Sequence, residues 1–279
     1  MDLILQVCDK YFFSPVVYPV SWPEDYIVRQ YISLSIITSI GAWLLYFATA
    51  CFSYYFVFDH TYMKHPQFLK NQVRLEITYS TTSVPFMGLL TALMFVLEVR
   101  GYSKLYYGSN DSAFYSSWLF LAISVVTFLM FTDCFIYWIH RGLHHRSIYR
   151  YMHKGHHKWK VPTPFASHAF HPLDGFLQSL PYHVYPFIFP LHKGLYLILF
   201  VMVNIWTVSI HDGDCKVPKI LEPFINGTAH HTDHHLLYKY NYGQFFTLWD
   251  RLAGSYQQPT CLSVNTLLDE LKQLDKKQE

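Results

Sequence analysis

Residues 140–157 read HRGLHHRSIYRYMHKGHH, and the rest of the chain is organised around them. Fifteen of the 17 histidines lie between His140 and His235, about a third of the length. A second cluster, HHTDHH at residues 230–235, completes the set. His140 and His144 are four apart, while His153, His156 and His157 repeat the i, i+3, i+4 pattern of one helix face, as do His231, His234 and His235. Three such faces converging would offer at least eight imidazoles. Neutral imidazole ligates iron, copper, zinc or nickel, and a tetrahedral zinc uses only three or four ligands, so two metal ions are the economical reading. No Glu-x-x-His motif of the soluble carboxylate di-iron bundles is present.

Working outward, the clusters are flanked by apolar runs. The chain has 279 residues, 52% hydrophobic, 19% aromatic and only 14% charged, which points to an all-α polytopic membrane protein. We expect spans over 31–58, 77–97 and 118–139, the second containing Pro85 and the third Asp133, an acid costly enough in lipid to need a partner. A further apolar region, 176–210, is broken by Pro181, Pro186 and Pro190 and is expected to be a hairpin or re-entrant pair. If the clusters on either side share one site, the chain must leave and return to the same face there. The fold is thus about four to five membrane helices or re-entrant segments with a histidine-rich cap, segments 140–175 and 211–258 holding the metal site and 259–279 forming a tail. Residues 1–30, punctuated by Pro15, Pro19 and Pro23, read as a short interfacial entry, and no cleaved signal peptide is expected.

Charge sets the orientation. Arg141, Arg146, Arg150, Lys154, Lys158 and Lys160 stand without an acid in 140–160, which places the cap in the cytosol. Of two glycosylation acceptors, Asn110 then faces the lumen and Asn226 the cytosol. Lys276-Lys277 near the C-terminus resembles the cytosolic retrieval signal of endoplasmic-reticulum membrane proteins. The net charge of +2 requires no nucleic-acid partner. Cys8, Cys51, Cys134, Cys215 and Cys261 form no C-x-x-C pair, which argues against thiolate metal sites, and Cys51 and Cys134 read as core residues.

Not every histidine belongs to the site. His60, His65, His183 and His192 read as ordinary polar surface or interface residues. His168 and His171 are either ligands or hydrogen-bonding neighbours, and His145 and His230 each adjoin a better-spaced histidine. His211 stands alone just past the last apolar run, where the site should be. Asp133, Asp174, Asp212, Asp214 and Asp233 are available to orient imidazoles from behind. A histidine-rich transporter would need charged residues along several spans, and 31–58 has none.

The three boxes HRGLHH, HKGHH and HHTDHH resemble those of the membrane fatty acid hydroxylase superfamily. The longer strings FIYWIHRGLHH, HKWKVPTPFASHAFHPLDGFLQSLPYH, NIWTVSIHDGD and FINGTAHHTDHH resemble its sterol C-5 desaturases, and the likeness covers nearly the whole chain up to Gln258. The resemblance implies two Fe ions held by His140, His144, His153, His156, His157, His231, His234 and His235, with His211 as an additional ligand. Related hydroxylases space the first pair one residue wider, which leaves His144 and His145 both open. It further implies an O2-dependent delta-7-sterol 5(6)-desaturase of the endoplasmic-reticulum membrane. A delta-7 sterol such as lathosterol would lose hydrogens from C-5 and C-6, with electrons from cytochrome b5 and its NADH-dependent reductase. The chain carries no dinucleotide fingerprint or C-x-x-C-H haem motif of its own, and Arg146–Lys160 would suit an acidic carrier. A sterol C-4 methyl oxidase or a fatty acid hydroxylase would use the same boxes.

Overall fold

The computed structural model describes residues 1–107, 117–213, 218 and 220–259. Asn110, Asp214, Cys215, Cys261 and Lys276-Lys277 lie outside the described residues. A short helix α1 (Asp2–Cys8) and a π-helical segment (Asp9–Val17) lead into α2 (Ile27–Phe56). The next helices are α3 (Gln72–Val99) and α4 (Trp118–Leu143), and among the described residues these three are long and apolar enough to cross a membrane. The short α5 (Arg146–Met152) follows. Then come α6 (Pro172–Ile188) and α7 (Lys193–Ser209), each 17 residues. At about 1.5 Å per residue each extends roughly 25 Å. The helices α8 (Thr228–Leu237) and α9 (Leu248–Leu252) complete the cap.

The helices α2 and α3 begin before the charge-free windows that the sequence defines, because the charges bounding those windows have partners. Arg29 lies inside α2, 4% exposed, and donates to Asp9 Oδ1 at 2.9 Å, to Ser14 Oγ and to the Trp22 carbonyl. Glu76 lies inside α3, fully buried, and accepts from Gln72 Nε2 at 2.7 Å and from the Thr163 hydroxyl. The helix α4 continues past His140 to Leu143. Pro85, Pro181 and Pro186 are carried within helices, and the break falls at Phe189-Pro190. There β2 (Leu191–His192) pairs in parallel with β1 (Leu105–Tyr106) and ties the α6–α7 turn to the loop after α3.

Helix packing relies on small residues where backbones approach. A Cβ on Gly88 would stand 2.4 Å from Ser39 Oγ and 3.5 Å from the Ser35 carbonyl, so α2 and α3 pack along a Ser35–Ser39–Gly88–Ala92 seam. A second core joins Phe128 and Ile136 of α4 to Tyr182 and Tyr185 of α6 and to Tyr196, Leu199 and Val203 of α7. Outward-facing Leu44, Trp118, Val126 and Ile198 remain exposed, as a lipid-facing surface requires. The 3-10 turn Pro164–His168 inserts between α2, α3 and α7.

One end of the bundle collects the chemistry. The C-terminal end of α2 meets the segment after α7 through Ser53 and Asp212, at 3.5 Å. The start of α3 meets the post-α5 loop through Gln72 Nε2 and the Val161 carbonyl, at 2.8 Å. With the end of α4 and the start of α6, five helix ends face the same side.

Candidate metal centre

Each histidine box is presented by a different local structure. His140 is in the last turn of α4 and His144 caps its C-terminus, one turn further on. His153 caps the C-terminus of α5, and His156 and His157 sit in a 3-10 turn, so the middle box is a tight turn where its spacing suggested a helix face. His211 lies just after α7, and His231, His234 and His235 project from α8. These nine rings form two groups among the described residues. His140, His144, His153, His157 and His234 make one, and His156, His211, His231 and His235 the other, with the candidate ligand atoms of each group within 4.8 Å of one another. The groups abut, with the His157 and His235 rings 4.7 Å apart.

Hydrogen bonds behind the rings fix which nitrogen faces inward. A carbonyl only accepts, so His140 Nδ1–H donates to the Tyr242 carbonyl at 2.9 Å, His234 Nδ1–H to that of Tyr240 at 2.7 Å, and His211 Nδ1–H to that of Thr207 at 2.7 Å. His153 Nδ1 is 2.7 Å from Asp174 Oδ2, both side chains fully buried. With the hydrogen on Nδ1 in His140, His234 and His211, the Nε2 of each presents a lone pair to its group's interior. His140 Nε2 and His153 Nε2 oppose each other there at 3.1 Å. His144 and His157 meet through their Nε2 atoms at 3.1 Å, and His231 meets His211 at 3.0 Å and His235 at 3.1 Å in the same way. The His234 Nε2 is buried without any partner. Nine imidazoles converging in two groups, three of them with an Nε2 lone pair fixed inward by a backbone carbonyl, make a donor set that fits metal ions.

Electrostatics agree. Burial, reinforced by the neighbouring imidazoles, pushes His156, His157, His231, His234 and His235 well below the usual histidine range. His144 is lowered the same way, and burial brings His211 down to about 4. The rings are therefore neutral near pH 7, the form that ligates.

The carboxylates act at a remove. Asp133 does not touch a histidine: it accepts the backbone N–H groups of Gln244, Phe245 and Phe246 at 3.2, 2.7 and 3.3 Å. Asp250 accepts those of Tyr242 and Gly243 at 2.9 and 2.8 Å. Two acids thus hold five consecutive N–H groups of the loop whose Tyr240 and Tyr242 carbonyls orient His234 and His140. Asp212 is bound by Thr228 Oγ1 at 3.3 Å, and Asp233 is buried on α8.

Four candidates fall outside both groups. His145 is exposed and accepts the Ser147 N–H, capping α5, which distinguishes it from the clustered His144. His171 caps α6 in the same way. His230 is buried and accepts the Gly227 N–H at the start of α8. His168 bonds Asn204 Oδ1 through Nε2 at 3.2 Å. His183, which looked like an ordinary surface residue, is 2% exposed and bonded to the Tyr196 hydroxyl at 3.0 Å. No spacing signal marks it, because its burial comes from α3 and α7 packing over α6. Cys51 and Cys134 are half-buried. Asn226 is buried, with its Nδ2 donating to the Phe246 carbonyl at 3.3 Å.

Two kinds of opening reach the histidines. On the cap, a cavity of about 490 Å³ lies against His157, lined by Tyr149, Arg150, Lys154, Lys158 and Tyr238. On the bundle side, Phe170 stacks on His156 at 4.3 Å and walls an apolar cavity of about 150 Å³ between α3, α6 and α7. Thr38, Ala42, Phe200 and Asn204 also line a larger apolar cavity of about 580 Å³, so the two adjoin.

Comparison with known proteins supplies the chain's kin. The fatty acid hydroxylase family model matches residues 125–255, which span all the histidine boxes. Human lathosterol oxidase is 62% identical over 98% of this chain and 91% of its own. The mouse lathosterol oxidase is 64% identical over 93% of this chain and 86% of its own. This chain belongs to the sterol C-5 desaturases of the fatty acid hydroxylase family. More distant members include the delta(7)-sterol 5(6)-desaturase of Candida albicans, 56% identical over 84% of this chain and 59% of its own. No solved structure matches the chain. Family membership accounts for the pairing of a polyhistidine cap with an apolar bundle.

Proposed function

We propose that this protein is an O2-dependent delta-7-sterol 5(6)-desaturase with two Fe ions, one in each histidine group. The observation that carries the reading is the adjacency of the two imidazole groups to an apolar cavity through His156 and Phe170. Bound iron would supply the O2-activating oxidant that an unactivated ring carbon demands. His140, His144, His153, His157 and His234 would hold one ion, and His156, His211, His231 and His235 the other. Asp174 and the Tyr240, Tyr242 and Thr207 carbonyls keep four of these rings in the ligating tautomer. Phe170 and the buried histidines exclude water from the cavity side. The substrate loses one hydrogen each from C-5 and C-6, and O2 is reduced to two waters with two further electrons and two protons from outside.

Those electrons need an entry point. Arg150, Lys154 and Lys158 around the cap cavity, with Tyr149 and Tyr238 between solvent and His157, suit docking of an acidic carrier of the cytochrome b5 type, itself reduced by an NADH-dependent reductase. The cap and the C-terminus would then face the cytosol, and Lys276-Lys277 together with the sterol desaturase kinship supports an endoplasmic-reticulum membrane location. A delta-5,7 sterol should appear on expression in cells lacking their own sterol C-5 desaturase, and none with His156→Ala. No diene from the wild type, or a hydroxylated product in its place, would overturn the proposal.

A further inference from the structure

We propose that Asn204, held by His168 and assisted by Thr38, recognises the hydroxyl group of the sterol; this rests on the desaturase reading above. Asn204 is a primary amide in the middle of α7, which is otherwise apolar around it, and it lines both adjoining cavities. Its Nδ2 donates to the Phe200 carbonyl at 2.7 Å, which fixes the orientation of the amide. Oδ1 therefore faces His168 Nε2 at 3.2 Å and accepts from it, while His168 Nδ1 accepts from the Ser167 hydroxyl at 3.0 Å. The His168 ring is further held edge-on by Tyr46, at 5.2 Å. With these bonds made, Asn204 keeps one N–H and one oxygen lone pair for a ligand, the complement of a single hydroxyl.

Thr38 supplies an independent observation. Ser35, Ser39 and Thr49 of α2 each return their hydroxyl to the carbonyl four residues back, at 2.7 Å. Thr38, which lines the same two cavities as Asn204, has a buried Oγ1 with no partner at all. A buried hydroxyl left unsatisfied costs about 1–3 kcal/mol, so it marks a place where a polar ligand atom belongs.

Sterol chemistry selects this place among the polar groups of the cavity. The carbinol carbon is separated from C-5 by a single methylene, so the hydroxyl must bind close to the reacting carbon and hence near the metal end. Asn204 precedes His211 by seven residues, about 10 Å along the helix, with Thr207 between them bonded to His211. His183 lies nine residues beyond Asp174 on α6, about 13 Å from the His153 end, and suits the far part of the ligand.

The test compares a delta-7 sterol with its 3-methyl ether, which cannot donate a hydrogen bond. Diene formation by the wild type should favour the free sterol at least about 10-fold, and Asn204→Leu should bring that ratio to within about 3-fold by weakening the free sterol more than the ether. Thr38→Val should reduce the ratio by at least about 3-fold. Equilibrium binding of the two radiolabelled sterols to the purified metal-loaded protein, held without reductant, should show the same loss of discrimination. An unchanged ratio in both variants would overturn the inference and leave the desaturase reading standing. If the wild type forms no diene from either sterol, that reading fails and the binding ratios alone decide the inference. Should Asn204→Leu not accumulate, the Thr38→Val binding ratio decides it.

Discussion

The two histidine groups differ in how firmly they are held. In the five-nitrogen group, His140, His153 and His234 are each braced from behind, by the Tyr242 carbonyl, Asp174 and the Tyr240 carbonyl. In the four-nitrogen group His211 is braced by the Thr207 carbonyl, while His156 and His235 leave buried Nδ1 atoms without a partner, as His157 does in the first group. The first group lies under the basic, aromatic opening of the cap, with Tyr149 and Tyr238 against His157. The second meets the apolar cavity through Phe170. The first group thus carries more of the braces and lies on the basic, aromatic side of the cap, while the second carries fewer and lies on the apolar side.

The sharpest way to break this contrast is to remove a ligand from each group in turn. His140→Ala and His235→Ala should each abolish diene formation, and metal analysis of the purified protein should show the loss of one equivalent from a different group in each case. Loss of both equivalents in both variants would mean that the groups fill as one unit. Replacing a brace should cost less. Asp174→Asn should lower metal affinity or activity roughly 10–100-fold while leaving the four-nitrogen group occupied, as read by metal titration. Weaker again is Asp133→Asn, which leaves three backbone N–H groups with a neutral acceptor. It should lower stability by about 1–3 kcal/mol in detergent unfolding, with occupancy falling first in the five-nitrogen group. The smallest effect is expected at the neighbour of a ligand. His145→Ala removes only an exposed helix cap and should change activity less than 2-fold and stability by about 0.5 kcal/mol, where His144→Ala abolishes turnover. Equal losses for the pair would undo the division between them.

What the sequence makes legible is whatever repeats at short range. Charge-free runs long enough to span lipid, and histidines three and four apart, both announce themselves locally, and from them the helical bundle and the imidazole-rich cap follow. The helices α2 and α3 start a few residues before the charge-free windows because Arg29 and Glu76 find partners, Asp9 and Thr163, that no local window contains. The turn at His153–His157 was hidden for another reason: i, i+3, i+4 spacing suits a 3-10 turn after a helix cap as well as a helix face. Asp133 advertised its need for a partner, but nothing local says that the partner is the backbone of residues 244–246. The cavity residues were invisible altogether. His183, Asn204 and Thr38 lie on three helices, and only packing brings them to one space.

The loop clamped by Asp133 and Asp250 also makes the cap depend on a late part of the chain. Ribosomes deliver the first box long before residues 240–246, yet His140 and His234 take their inward-facing tautomers from carbonyls in that late segment. A chain cut after α7 would therefore keep the first two boxes but lack the carbonyl that sets the His140 ring.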